Sequence, residues 1–236
     1  MFRWTLPALT SLFLALTFLS PTGTPSSWQP EIDPADFVST IDNQYFPLVP
    51  GTVFHYEGTL EGESLSSTYE VTTETRVVMG VTCVVVRDTV SVDGEVVEDT
   101  YDWFAQDTDG NVWYFGEASQ DLEIGEVVST EGSWEAGIDG ALPGIIMPAE
   151  PRVGDTYTQE VAPGIAEDMG EVIEIGSTLE LSLGSFDNVL VMKEWNPLDS
   201  DVIEHKSYAP GFGMVLAEAI QGEDERLELV AIDEPA

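Results

Sequence analysis

Two histidines, a short run of acidic residues and a set of aromatic side chains are the residues whose types could carry chemistry in this chain. His55 and His205 are far apart in sequence, and no H-x-H or H-x-x-x-H spacing supports a local metal site. A sheet that closes on itself would bring its first and last strands together. With Glu57, Glu194 or Glu204 at hand, the two imidazoles could then hold a transition metal or serve as acid and base. The competing reading is two unrelated histidines on a sheet surface. Asp107-Thr108-Asp109-Gly110-Asn111 has oxygens at alternate positions and a glycine turn, as at the start of a calcium loop, with Asp107, Asp109 and Asn111 as ligands. It lacks the glutamate that would complete an EF-hand, Glu117 lying one place beyond it, and a plain hairpin turn between Trp103 and Trp113 is the favoured reading.

The aromatic residues Tyr101, Trp103, Trp113, Phe115, Trp134, Trp195 and Tyr208 fall on neighbouring candidate strands. Cross-strand aromatic pairs are ordinary sheet core. Tyr101, Trp103, Trp113, Trp134, Trp195 and Tyr208 could instead line a concave pocket for an apolar ligand, with Asp102, Glu194 and His205 as its polar groups. Signatures of other chemistries are lacking: there is no G-x-S-x-G elbow, no phosphate-binding loop, no dinucleotide fingerprint, and no cysteine beside a base. No cofactor is implied apart from the calcium that the Asp107 loop would take.

The elements that must position these groups are strands. From Thr52 onward the chain falls into alternating runs separated by turn dipeptides such as Glu61-Gly62, Asp93-Gly94 and Gln221-Gly222, where glycine supplies the positive φ of a tight hairpin. The runs are 52–60, 67–79, 81–92, 96–106, 112–116, 126–134, 156–161, 170–183, 188–196, 202–208, 213–220 and 226–232. Helix signals are few: Ala35 to Ile41, capped by Asp33 with Pro34 at its first position, and one turn in Ala162 to Met169. The segment Gly137 to Arg152 fits no strand and reads as an apolar loop that plugs a barrel mouth or covers a ligand. The predicted fold is therefore all-β, a single antiparallel meander curled into a half-open or closed barrel.

Residues 1–26 have the layout of a secretory signal peptide, with Arg3, an apolar run from Leu6 to Leu19 and a small-residue exit. Residues 27–50 read as a lead-in segment that drapes onto the domain, and 51–236 as one β domain. The expected location is secreted or periplasmic, without integral membrane association, because the apolar run is shorter than the roughly 20 residues that span a bilayer. The one cysteine, Cys83, excludes an intramolecular disulfide and reads as a buried structural thiol. With 44 acidic against 7 basic residues, the net charge of −37 excludes nucleic acid and anionic membranes as partners. Its scatter along the chain suits a halophilic solvation strategy, since at molar salt the Debye length falls to about 3 Å and self-repulsion is screened.

Three stretches form a recurring pattern. They are Tyr45-Phe46-Pro47-Leu48-Val49-Pro50-Gly51-Thr52, then Gly184-Ser185-Phe186-Asp187-Asn188-Val189-Leu190, then Tyr208-Ala209-Pro210-Gly211-Phe212-Gly213-Met214-Val215. The chain resembles a broad group of secreted bacterial β proteins, largely uncharacterised, that carry YFPL-x-PGT, G-[ST]-F-D-N-x-L and YAPG-x-G-x-V. That group is similar in layout to the lipoprotein-carrier (LolA-like) half-barrels. The resemblance implies fold and export, and it names no activity. Each stretch also has a plain structural reading: a bend admitting the first strand, a hairpin at Gly184 to Asn188, and a strand kinked at Pro210, Gly211 and Gly213. Three functions fit these residues. The favoured one is binding or carrying an apolar small molecule or lipid in a β-barrel hollow. The alternatives are a pocket isomerase, cyclase or hydrolase using His55 or His205, and an acidic structural or calcium-stabilised surface module.

Overall fold

The computed structural model describes residues 28–235, so the leader expected over 1–26 lies outside the described residues. A 3-10 turn, Pro34–Asp36, is capped by the Asp33 carboxylate. It is followed by β1 (Phe37–Val38), β2 (Val53–Leu60), β3 (Glu63–Val78), β4 (Val81–Val92), β5 (Glu95–Asp107) and β6 (Val112–Ala118). Three short strands come next, β7 (Asp121–Glu123), β8 (Glu126–Ser129) and β9 (Trp134–Glu135), and then β10 (Leu142–Met147), β11 (Thr156–Thr158) and β12 (Glu160–Val161). The chain ends with β13 (Met169–Leu181), β14 (Gly184–Asn196), β15 (Asp199–Ala209), β16 (Gly213–Gln221) and β17 (Glu225–Asp233).

These 17 strands form one sheet in which every residue-paired ladder is antiparallel. Starting at β2, the ring runs through β3, β4, β5 and β6 to β10. In the other direction it runs through β17, β16, β15 and β14 to β13. The two arms meet at residues 156–161, where β11 pairs with β13 and β12 pairs with β10 through only two residue pairs. The change of partner at Gln159 is the seam that the ladder leaves unsealed, and the sheet is a nearly closed barrel.

The side chains alternate as strands demand. Phe54 and Tyr56 of β2, and Leu65 and Ser67 of β3, are buried, while Glu57 and Glu70 face solvent. The continuous apolar core includes Val71, Val86, Leu190, Met192 and Leu229, all with no exposed surface. Cys83 is buried within it, its thiol pushed up to about 12 by burial, as suits a structural residue.

Residues 41–52 cross one end of the barrel. Ile41 and Leu48 form a bridge, and Phe46 inserts against Phe104 and Tyr208 at centroid distances of 5.3 and 6.3 Å. Tyr45 donates its hydroxyl hydrogen to the Asn188 carbonyl, the Gly211 amide donates to the Gln44 carbonyl, and Phe186 meets Phe212 edge-on at 5.1 Å. The three patterned stretches of the sequence therefore converge in space and together build this base.

Several expected elements differ. No α-helix forms over 35–41: the 3-10 turn stops at Asp36, and Phe37 pairs with β5 so that its ring covers Trp113 and Phe115. The Gly137 to Arg152 segment is no loop plug, because Leu142–Met147 becomes a stave of the barrel against β6, and the base is closed by 41–52 instead. The stretch 126–134 splits into β8 and β9, with a turn between them. The β13–β14 hairpin turns at Ser182 and Leu183, one step before Gly184, and Pro210 to Phe212 form the turn between β15 and β16 and do not kink a strand.

The β2–β17 ladder depends on Gly58. A Cβ there would lie 1.7 Å from the Arg226 carbonyl oxygen, so the two backbones can approach only with hydrogen at this position. Gly58→Ala should destabilise the fold by about 1–3 kcal/mol, read as a lower urea midpoint with an unchanged denaturant slope. An unchanged midpoint would mean that this ladder does not hold the ring.

Candidate functional site

The barrel encloses a hollow of about 330 Å³. Its apolar wall is made by Phe46, Tyr56, Leu65, Phe104, Met214 and Leu227. The wall also carries Asp88, Asp102, Glu160, Glu194, Glu204 and Glu225, and one cation, Lys206. A second chamber of about 340 Å³ shares Ile146, Glu160, Glu194, Glu204 and Lys206 with the first and adds Asp168, Trp195 and Asn196. The two form one continuous space, whose second chamber is strongly acidic.

The acidic residues sit there because strand alternation turns them inward. In β15, Glu204, Lys206 and Tyr208 alternate on the inner face. Lys206 Nζ lies 2.7 Å from Glu194 on β14 and 3.6 Å from Glu204. Glu194, only 7 % exposed, also accepts hydrogen bonds from Gln159 Nε2 at 3.0 Å and from the Tyr208 hydroxyl at 3.4 Å. The lysine remains charged despite burial, its pKa held well above the ordinary value by Glu194 and Glu204.

A second cluster centres on Tyr114. Its hydroxyl oxygen lies 2.6 Å from Asp102 Oδ1 and 2.9 Å from Glu117 Oε2. Tyr114 and Glu117 reach the same side because the β5–β6 register shifts between Asp102 and Phe104 and Gly116 adopts φ +131, where a Cβ would sit 2.4 Å from the Trp134 carbonyl oxygen. A phenol has one proton to donate, so both short contacts are hydrogen bonds only when one of the two carboxyls is itself protonated. Burial pushes Asp102 well above the carboxylate range, with Glu117 adding to the shift. Glu117 rises to about 7, chiefly by burial, and Asp88 and Asp168 to about 6 for the same reason.

The sequence-derived candidates divide. Glu194 and Tyr208 line the hollow, and Trp195 reaches the second chamber with Lys193 4.8 Å from its ring centre. Tyr101 and Trp103 alternate with the inward Asp102 and Phe104 and stand on the outer face, under Arg87 and Arg76 respectively. Trp113 is likewise outside, against Trp28 and Phe37. Trp134 is buried edge-on against Tyr114, behind the wall of the hollow. His55 and His205 do not meet. They lie on β2 and β15, separated by β17 and β16, and both alternate with inward residues. His55 bonds Asp233 at 3.0 Å on the exterior. Asp107 spends its oxygens on the Asp109 and Asn111 amides, the Asn111 side chain and the Trp113 indole, closing a hairpin turn with Asp109 and Asn111 held by that carboxylate. Among the described residues, no group of three or more His, Cys, Asp or Glu is arranged to hold a metal ion.

The inward ring of carboxylates escaped the sequence reading except for Asp102, Glu194 and Glu204. The available signal was Val86-x-Asp88-x-Val90, an acid on the apolar face of a strand.

These carboxyls give stability an unusual pH dependence. Asp88, Glu117 and Asp168 hold protons in the folded state up to about pH 6–7 but lose them near pH 4 when unfolded. Over that window the folded state binds more protons, so its stability falls as pH rises. Thermal unfolding at molar salt should occur several degrees higher at about pH 5 than at about pH 8. Asp102→Asn, which replaces one partner of Tyr114 by a permanently neutral one, should flatten the slope. A midpoint that rises steadily with pH in both proteins would contradict this account.

No family model matches the chain, and no curated protein matches it. Among solved structures, the chain is similar to the crystal structure of a "putative lipoprotein" from Parabacteroides distasonis, at 14 % identity, with 81 % of this chain and 99 % of that chain covered and a TM-score of 0.38.

Proposed function

We propose that this protein binds or carries a small, largely apolar molecule or lipid in the hollow of its barrel. The observation that carries the reading is the walled space of about 330 Å³, within the range that small-molecule sites occupy. Barrels of this kind either fill their interior with side chains or leave room for one ligand, and here Phe46 fills only the base. Polar groups share the hollow with an apolar wall, the arrangement by which a pocket orients an amphipathic guest. Export to the periplasm or the exterior, read from the leader, belongs to the same proposal.

The enzyme alternative draws no support from the histidines, which are directed away from the hollow. The calcium alternative draws none from Asp107, whose oxygens are already occupied by protein donors.

The test is native mass spectrometry of the purified full chain, beside uptake of the neutral fluorophore N-phenyl-1-naphthylamine. Wild type should retain an organic mass or bind the fluorophore with micromolar affinity. Ala217→Phe, which places a ring in the wall of the hollow, should reduce uptake at least tenfold while leaving the circular dichroism spectrum unchanged. A bare polypeptide mass together with no fluorophore uptake would overturn the proposal.

A further inference from the structure

The exterior of an acidic protein is hydrated, and carboxylates there need no partner. The carboxylates of the hollow are different, because each ionised group withdrawn from water carries a desolvation cost that only a partner offsets. Their partners can be counted. Glu194 has Lys206, Gln159 and Tyr208, Asp102 has Tyr114, and Asp88 has Ser67 at 2.6 Å. Glu204 has only the longer contact to Lys206 at 3.6 Å. Glu160 and Glu225 line the same space, and neither carboxylate has a hydrogen bond or ion pair with any described residue. Burial pushes both upward, Glu160 well above its ordinary range, with Asp168 and Glu117 adding to it, and Glu225 with Glu204 adding to it. One lysine thus stands against six carboxyl groups on the wall of the first chamber. A cation entering from the acidic side would find open acceptors beside an apolar wall.

We infer that the ligand is a cationic amphiphile, an alkyl or aryl ammonium compound whose charged group is received by Glu160 and Glu225 while its apolar body lies on Tyr56, Leu65 and Phe104. This rests on the hollow being a binding site and adds the charge of its occupant. Lys206 sets the orientation, because it pairs with Glu194 and Glu204 and repels the ammonium from both, leaving the unpartnered Glu160 and Glu225 as its seat. An anionic amphiphile, such as a fatty acid, meets the reverse field and is excluded.

The experiment compares octylammonium, octanol and octanoate as competitors of N-phenyl-1-naphthylamine in the full-length protein. The three probes share one alkyl chain and differ in the charge of the head group. The titrations are done at molar sodium chloride and about pH 8, where the diffuse field of the outer surface is screened beyond about 3 Å. Octylammonium should compete at least tenfold better than octanol, and octanoate should not compete. Glu160→Gln and, separately, Glu225→Gln should each cut the preference for octylammonium over octanol severalfold, with octanol unaffected. Each variant is checked by its thermal midpoint, and either alone suffices if the other does not fold. Equal competition by octylammonium and octanol, or a preference unchanged in the folded variants, overturns the inference while leaving the hollow as an apolar site. No uptake of the fluorophore or of any probe overturns the binding proposal itself and this inference with it.

Discussion

Pairing of β2 with β17 governs what the rest of the molecule can do. It joins the beginning of the barrel to its end over eight residue pairs, and it requires the close backbone approach at Gly58. Once that ladder forms, the inner face of every stave is fixed by the period of two. A slip of one residue would exchange the inner and outer sets on the slipped strand, turning His55 inward and Phe54 and Tyr56 outward. The closed ring, and with it the hollow, depends on that register.

The energetic character of the hollow is a compromise between two demands. The floor is ordinary apolar core, where Phe46, Phe104 and Tyr208 exclude water and contribute stability in proportion to buried area. The acidic wall works against folding at neutral pH, since charges are held where hydration is reduced, and the Lys206 contacts offset only part of the cost. Groups that a fold retains at its own expense are where functional chemistry is sought. The outer aromatic residues, by contrast, serve stability. Arg76 lies 3.9 Å over the Trp103 ring and ion-pairs with Glu135, pinning β9 to the barrel wall.

Much of the fold was legible because strand signals are local. Val81–Val92 is a strand with the bounds that its alternation and its flanking turns announce, and closure of the first long strand on the last follows from the meander. The helix expected over 35–41 failed because a lone short segment has little intrinsic helical stability, whereas Phe37 gains contacts with two aromatic rings by lying extended. β10 was hidden by Pro143 and Gly144, which ordinarily break strands. Here the backbone comes so close to β12 that a Cβ at Gly144 would sit 2.2 Å from the Gln159 carbonyl oxygen. The site was less legible. Alternation shows that Tyr101 and Trp103 share one face, but not which face of a curled sheet is concave. The choice was decided by the bulge at Gly116 and by the sense of curl, neither of which is written in residue type.

The ring has a further consequence for how the chain acquires its shape. β2 lies near the start of the described chain and β17 near its end, so the ladder joining them closes a loop of nearly the whole sequence. Contacts of such separation form late and slowly. While a ribosome is still synthesising the chain, β2 has β3 beside it but no partner on its other edge, because β17 has yet to be made. The barrel therefore closes only after β17 has been made, and until then it presents an open strand edge of the kind that chaperones shield.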